Sequence, residues 1–206
     1  YNLSQDQLSK TLMPVGDYTK DEIRQMAEEM GLLVASKPDS QDICFIPDGN
    51  YQKFLYDYTG KKLPKGHFVD KDGKVLGTHE GITHYTIGQR KGLNLSMGHP
   101  VFVTEIRPET NEVVIGSGSD VFDSALEASQ VNWMSIPEPK PGEKIRVQAK
   151  VRYAHQGAGA VVYMTEDGRL ICEFDEPQRA ITPGQALVMY DGDYVVGGGI
   201  IDSVRR

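Results

Sequence analysis

The chain is predicted to be a mixed α+β protein: a short helical segment, a small β-rich central domain and a C-terminal antiparallel β-barrel. Three observations predict it. Helix-capping signals and apolar residues at helical spacing are confined to the stretch before Gly60. Paired Val, Ile and Phe runs around tight turns fill the stretch from Gly60 to about Gly118. From Ser119 onward, alternating strands and Asp-Gly turns follow one another without a helical pattern.

The helical part comes first. Ser4 is placed to cap a short helix carrying Leu8. Thr19-Lys20-Asp21-Glu22 is a capping box, in which a hydroxyl and a carboxylate three residues apart each satisfy the other's free amide. Ile23, Met26, Ala27 and Met30 then recur on one face, and Gly31 stands where a helix end favours positive φ. Met30, Leu32 and Val34 predict a short strand, and Cys44-Phe45-Ile46 another. Asn50 caps a third helix, with Tyr51, Phe54, Leu55 and Tyr58 on one side and Gly60 ending it.

In the central part, Asp72-Gly73 predicts a hairpin between Phe68-Val69 and Val75-Leu76. Val101-Phe102-Val103 and Val113-Val114-Ile115 flank the turn Pro108-Glu109-Thr110-Asn111. Strands are then predicted over Ile145–Tyr153, Ala160–Thr165, Leu170–Phe174, Ala186–Tyr190 and Tyr194–Ile201, with Asp167-Gly168 and Asp191-Gly192 between neighbours. Pro137, Pro139 and Pro141 give a stiff entry. A closed barrel suits such a series because closure removes exposed edges.

Composition narrows the function classes. The 206 residues are 39% hydrophobic and 25% charged, ordinary for a folded protein. No apolar run approaches the ~20 residues that cross a bilayer, and no charged-then-apolar leader opens the chain. Cys44 and Cys172 lie far apart and form no disulfide framework, which favours a reducing compartment. The five histidines are scattered with no zinc-type spacing, so no metal site is expected. A net charge of −7 argues against indiscriminate nucleic-acid binding while allowing a local basic stripe. Tyr1 is not an initiator Met, and the opening reads as the middle of a longer protein.

Four features can carry chemistry or binding. Cys44 lies between Ile43 and Phe45-Ile46, flanked by Asp39, Asp42 and Asp48. It reads either as an inert strand cysteine or as a chemical handle on a loop; the acids disfavour a thiolate. Cys172 alternates with Leu170 and Phe174 and reads as core. In the strand from Lys144 to Tyr153, Lys144, Arg146, Gln148, Lys150 and Arg152 share one face and Ile145, Val147, Ala149, Val151 and Tyr153 the other. Four cations without an intervening acid suit a polyanion, although a solvated barrel face has the same pattern. Gly88-Gln89-Arg90-Lys91-Gly92 is a glycine-bounded basic patch, without P-loop spacing, that can approach phosphates. Gly197-Gly198-Gly199 precedes no helix pattern and marks a barrel corner or a tight backbone crossing rather than a dinucleotide site.

Taken together, several segments resemble the tRNA-specific 2-thiouridylases. They are Asp39-Ser40-Gln41-Asp42-Ile43-Cys44-Phe45-Ile46, His84-Tyr85-Thr86-Ile87-Gly88-Gln89-Arg90-Lys91-Gly92-Leu93, Val151-Arg152-Tyr153, Phe174-Asp175-Glu176-Pro177, Thr182-Pro183-Gly184-Gln185 and Gly197-Gly198-Gly199-Ile200-Ile201. The blocks stand in the family's order over nearly the whole chain. The resemblance implies three parts: residues 1–53 as the end of an α/β nucleotide-binding domain of the pyrophosphatase-loop type, 54–117 as a small central domain, and 118–206 as the barrel. It departs from the family in lacking the Ser-Gly-Gly-Val-Asp-Ser nucleotide loop and the first catalytic cysteine.

That resemblance implies that ATP, bound by the part not present, activates the 2-oxygen of a tRNA wobble uridine, and that Cys44 carries the incoming sulfur as a persulfide. Arg152, Tyr153 and Gln185 match the family's tRNA-touching positions, with Gln89, Arg90, Lys91 and Lys150 as further contacts. The implied partners are tRNA and a persulfide-donating sulfur-relay protein, with no DNA and no membrane, in the cytoplasm. On its own the chain is expected to be inactive. The alternative reading is a non-catalytic RNA-binding barrel.

Overall fold

The computed structural model describes residues 1–37, 46, 49–61 and 64–205. Contacts divide the chain into two units, Asp6–Lys62 and the combination of Tyr1–Gln5 with Leu63–Arg206.

The smaller unit is helical. Helix α1 is Gln5–Ser9, α2 Lys20–Glu29 and α3 Tyr51–Thr59. The capping box forms: the Glu22 N–H donates to Thr19 Oγ1 at 3.4 Å, and the Thr19 N–H donates to the Glu22 carboxylate at 2.7 Å. The Thr19 N–H, and to a smaller extent the Thr19 hydroxyl, donate to the Glu22 carboxylate and hold it below its ordinary pKa. At α3 the Lys53 N–H donates to Asn50 Oδ1 at 2.9 Å, and Gly60 ends the helix with φ +66°. The strand predicted across Met30–Val34 does not form. Residues 33–36 make turns, closed by Ala35 N–H to Leu32 O and Lys37 N–H to Val34 O, both 3.0 Å. A strand needs a laddered neighbour, and no other segment described in this unit is extended. The second predicted strand, at Cys44–Ile46, lies largely outside the described residues.

The larger unit opens with a four-stranded sheet. Its strands are β1 (Gly66–Val69), β2 (Val75–His79), β3 (Phe102–Arg107) and β4 (Glu112–Gly116), in the order β2-β1-β4-β3. β1 runs antiparallel to β2 and parallel to β4, while β3 and β4 form an antiparallel hairpin. Asp70 Oδ1 shapes the first turn by accepting the N–H groups of Asp72 at 3.0 Å and Lys74 at 2.9 Å. Phe68, Leu93, Val101, Val103, Val113 and Ile115 form the core of this sheet.

A closed six-stranded barrel follows: β5 (Phe122–Trp133), β6 (Ile145–Lys150), β7 (Ala158–Met164), β8 (Leu170–Arg179), β9 (Ala186–Asp191) and β10 (Tyr194–Arg205), in the order β10-β5-β8-β7-β6-β9. Inward residues alternate along each strand; Leu126, Ala149, Val162, Cys172, Leu187 and Met189 are fully buried. The triple glycine lies inside β10, which pairs with β5 on one side and β9 on the other. A Cβ at Gly197, Gly198 or Gly199 would lie 2.5–2.6 Å from the carbonyl oxygen of Asn132, Leu187 or Ser129. The Tyr1 ring packs over Gly198, and the Asn132 side-chain amide donates to the carbonyls of Tyr1 and Leu3. The expected tight crossing is therefore real, and it joins the start of the chain to the barrel wall.

Candidate nucleic-acid interface

β6 pairs antiparallel with β9 so that Gln148 faces Tyr190 and Lys150 faces Val188. This register brings the chain after Lys150 beside the start of β9. Lys150, Arg152 and Tyr153 thereby line one groove of about 400 Å³ with Gln185, which is distant in sequence, and with Val188 and Tyr190. The strand stops at Lys150, three residues short of the sequence expectation, so Arg152 and Tyr153 project from a turn. The turn presents the Tyr153 ring, fully exposed at 102%, instead of burying it on the apolar face.

Each side chain has a defined setting. The Lys150 ammonium lies 5.4 Å from the centre of the Tyr190 ring. Arg152 Nη1 donates to the Arg179 carbonyl at 2.8 Å, which aims the guanidinium while leaving its other donors for a ligand. Gln185 is fixed through its backbone, donating to Thr182 O at 3.2 Å and accepting from the Ile201 N–H at 2.9 Å, with its side chain exposed. Arg152 and Gln185 also border a second cleft of about 620 Å³, walled by Gly88 and Gln89 of the central sheet and by Arg179 and Thr182. Cations, flat aromatic faces and an amide in one trough match the needs of a single-stranded or looped RNA: phosphate pairing, base stacking and a base-edge contact.

The basic strand is not uniform, which corrects the expectation of an unbroken cationic face. Arg146 pairs through both terminal nitrogens with the Asp175 carboxylate, and Lys144 lies 3.7 Å from Glu173. Both acids are on β8, two strands away, and Gly159 on β7 leaves the space in which Arg146 and Asp175 meet. Among the described residues no carboxylate pairs with Lys150 or Arg152. Only the Lys150–Arg152 end offers open positive charge.

The Gly88–Gly92 patch divides similarly. The Gln89 amide closes its own loop: Oε1 accepts the Thr86 N–H at 3.0 Å and Nε2 donates to Lys91 O at 2.9 Å. Its backbone joins β3 through Val103 N–H to Gln89 O at 2.9 Å. Arg90 is exposed beside a separate hollow lined by Leu93, Asn94 and His99, and Lys91 is exposed. Cys44 lies outside the described residues. Cys172 is fully buried, and burial, with a smaller contribution from the Glu173 charge, pushes its thiol up to about 12. Tyr190 and Arg179 line these two clefts and are not legible as such in the sequence; the β6–β9 register and the far end of β8 bring them there. Among the described residues no group of three or more His, Cys, Asp or Glu is placed to hold a metal ion, and no helix is long and apolar enough to cross a membrane.

Three family models match successive parts of the chain: a tRNA methyl transferase HUP domain over residues 1–48, a tRNA methyl transferase PRC-barrel domain over 52–117 and an aminomethyltransferase beta-barrel domain over 123–201. The tRNA-specific 2-thiouridylase MnmA of Lachnoclostridium phytofermentans is 59% identical over 98% of this chain and 56% of the relative. Those of Acetivibrio thermocellus and Clostridioides difficile are 52% and 49% identical, each over 98% of this chain and 55% of the relative. The chain thus spans about half the length of the curated relatives it matches. Over nearly its whole length the chain is similar to the tRNA-specific 2-thiouridylases.

Proposed function

We propose that this chain supplies the tRNA-holding surface and the sulfur-carrying segment of a tRNA-uridine 2-sulfurtransferase. The observation that carries the reading is the convergence of Lys150, Arg152, Tyr153 and Gln185 on one groove, with two of them shared by the cleft beside Gly88 and Gln89. The same residues stand at positions that, by sequence resemblance, match tRNA contacts of the 2-thiouridylases. The uncompensated cations would hold phosphates, and Tyr153 and Tyr190 would stack on splayed bases.

Sulfur chemistry centres on Cys44. A persulfide there ionises more readily than a thiol, so its terminal sulfur is nucleophilic even near acids. Its attack on an activated uridine C2 forms the C–S bond as the activated oxygen leaves. A second thiol then breaks the S–S bond, becoming disulfide-linked to Cys44 and leaving the sulfur on the base. Buried Cys172 is no candidate for that thiol, so a cysteine outside this chain supplies it.

The similarity fits ATP use in a whole enzyme, but the residues described here do not fit an ATP site. Gly197–Gly199 is locked between two strands, and the α2 N-terminus is filled by its own Glu22. A persulfide-donating protein would load Cys44, and a tRNA substrate places the work in the cytoplasm.

Alkylation and RNA titration test the reading. In the native chain at pH 8, iodoacetamide is expected to label Cys44 and leave Cys172 unmodified until the barrel unfolds, as read by mass spectrometry. Protection of both cysteines would remove the sulfur-carrier role and leave a barrel that only holds RNA. Affinity for tRNA is expected to fall steeply with rising salt, and a salt-independent affinity would remove the cationic groove from the account.

A further inference from the structure

We infer that Arg179 is a positioning residue that fixes the central-sheet loop 86–92 against the barrel turn 151–157, setting the width of the groove between them. The consequence for RNA rests on the function proposed above; the mechanical part does not. β8 continues beyond its last pairing with β7 at Phe174 and runs along the start of β5, where Arg179 faces Phe122. At that end Arg179 makes three contacts. Its Nη2 donates to the Gly88 carbonyl at 3.1 Å. Its guanidinium lies 5.7 Å from the centre of the Phe102 ring on β3. Its backbone carbonyl accepts from Arg152 Nη1 at 2.8 Å.

The neighbouring residues tighten the bracket. Gln178 Oε1 meets His155 Nε2 at 3.0 Å, a second tie to the Arg152 turn. Ala180 adopts φ +54° and donates to Val121 O at 2.7 Å. Gly88, at φ +84°, comes so close that a Cβ there would lie 2.8 Å from the Ala180 Cβ. The central loop is thus pressed onto the end of β8, and Arg179 is the side chain that bonds it there. A guanidinium does this because its edge donates hydrogen bonds while its flat face stacks on a ring; an ammonium does not combine the two in one plane. Arg179 acts on the RNA-holding residues through the backbone of Gly88 and its own carbonyl to Arg152, rather than as a phosphate ligand.

The test compares wild type, Arg179→Ala and Arg179→Lys by amide hydrogen exchange and by tRNA titration across salt concentrations. Exchange of amides in 86–92 and 151–157 is expected to speed up about tenfold in both variants, with the laddered amides of β7 and β9 unchanged. The tRNA dissociation constant is expected to rise about five- to tenfold in both, with the wild-type salt slope retained because no phosphate contact is lost. Unchanged loop exchange would overturn the inference. So would faster exchange throughout the barrel, which marks a general stability role. Wild-type affinity in Arg179→Lys, with a salt slope lowered by about one contact in Arg179→Ala, would instead make Arg179 a phosphate ligand. If wild type bound no tRNA, the RNA reading would fall while loop exchange still decided the positioning role.

Discussion

Replacing Lys150 and Arg152 together by Ala is expected to weaken tRNA binding about tenfold to thirtyfold near 0.15 M salt. The salt slope should flatten by about 0.7 to 0.9 for each of the two phosphate contacts removed. The prediction follows from where carboxylates are and are not. Arg146 and Lys144 are answered by Asp175 and Glu173, so their charge is already compensated within the barrel. Lys150 is backed by the Tyr190 ring, and Arg152 is aimed by a backbone carbonyl, which leaves both charges uncompensated. The matched variant Lys144→Ala with Arg146→Ala should therefore change affinity by less than about twofold, since exposed ion pairs contribute little and hold their charges away from a ligand. Filter binding or fluorescence anisotropy at several salt concentrations separates the two pairs. The reverse order of effects would place the RNA at the opposite end of β6.

Gly198→Ala is expected to destabilise the barrel by about 3 kcal/mol or more. The added Cβ would sit 2.6 Å from the Leu187 carbonyl and equally close to the Tyr1 ring, inside a strand paired on both sides. A ring can swing away, but a laddered carbonyl moves only by breaking its strand's register. Gly168→Ala is the control. Its φ is +79° and nothing lies within 4 Å of the new carbon, so only turn strain of about 1 to 2 kcal/mol applies. Thermal melts of both variants give the comparison, and equal losses would mean that the crossing at Gly198 is looser than described.

Much of the barrel is legible from alternation, as in Ile145, Val147 and Ala149 of β6 and Leu170, Cys172 and Phe174 of β8, and from the Asp-Gly turns that precede β8 and β10. β5 was not read. Its sequence, Phe122 to Trp133, is rich in Ala, Ser and acids, and a register shift between Asp123 and Ala125 reverses which residues face inward. The Met30–Val34 expectation fails for the opposite reason: apolar residues suggest pairing where the described residues of the helical unit offer no partner strand. For the interface, spacing along β6 revealed the cations but not their partners. Asp175 reaches Arg146 across an intervening strand at a glycine, a relation that belongs to the closed sheet and not to any local pattern. The role of Gln89 was hidden similarly, since a loop-closing amide and a ligand-binding amide look alike in sequence.

The most direct measurement is photocrosslinking of tRNA to the wild-type chain, followed by mass-spectrometric mapping of the adducts. A groove that holds RNA predicts adducts on Tyr153 and Tyr190, in the peptides spanning 151–157 and 186–191. Adducts confined to the β5–β10 wall, where Glu127 and Asp202 pair with Arg169, would contradict it.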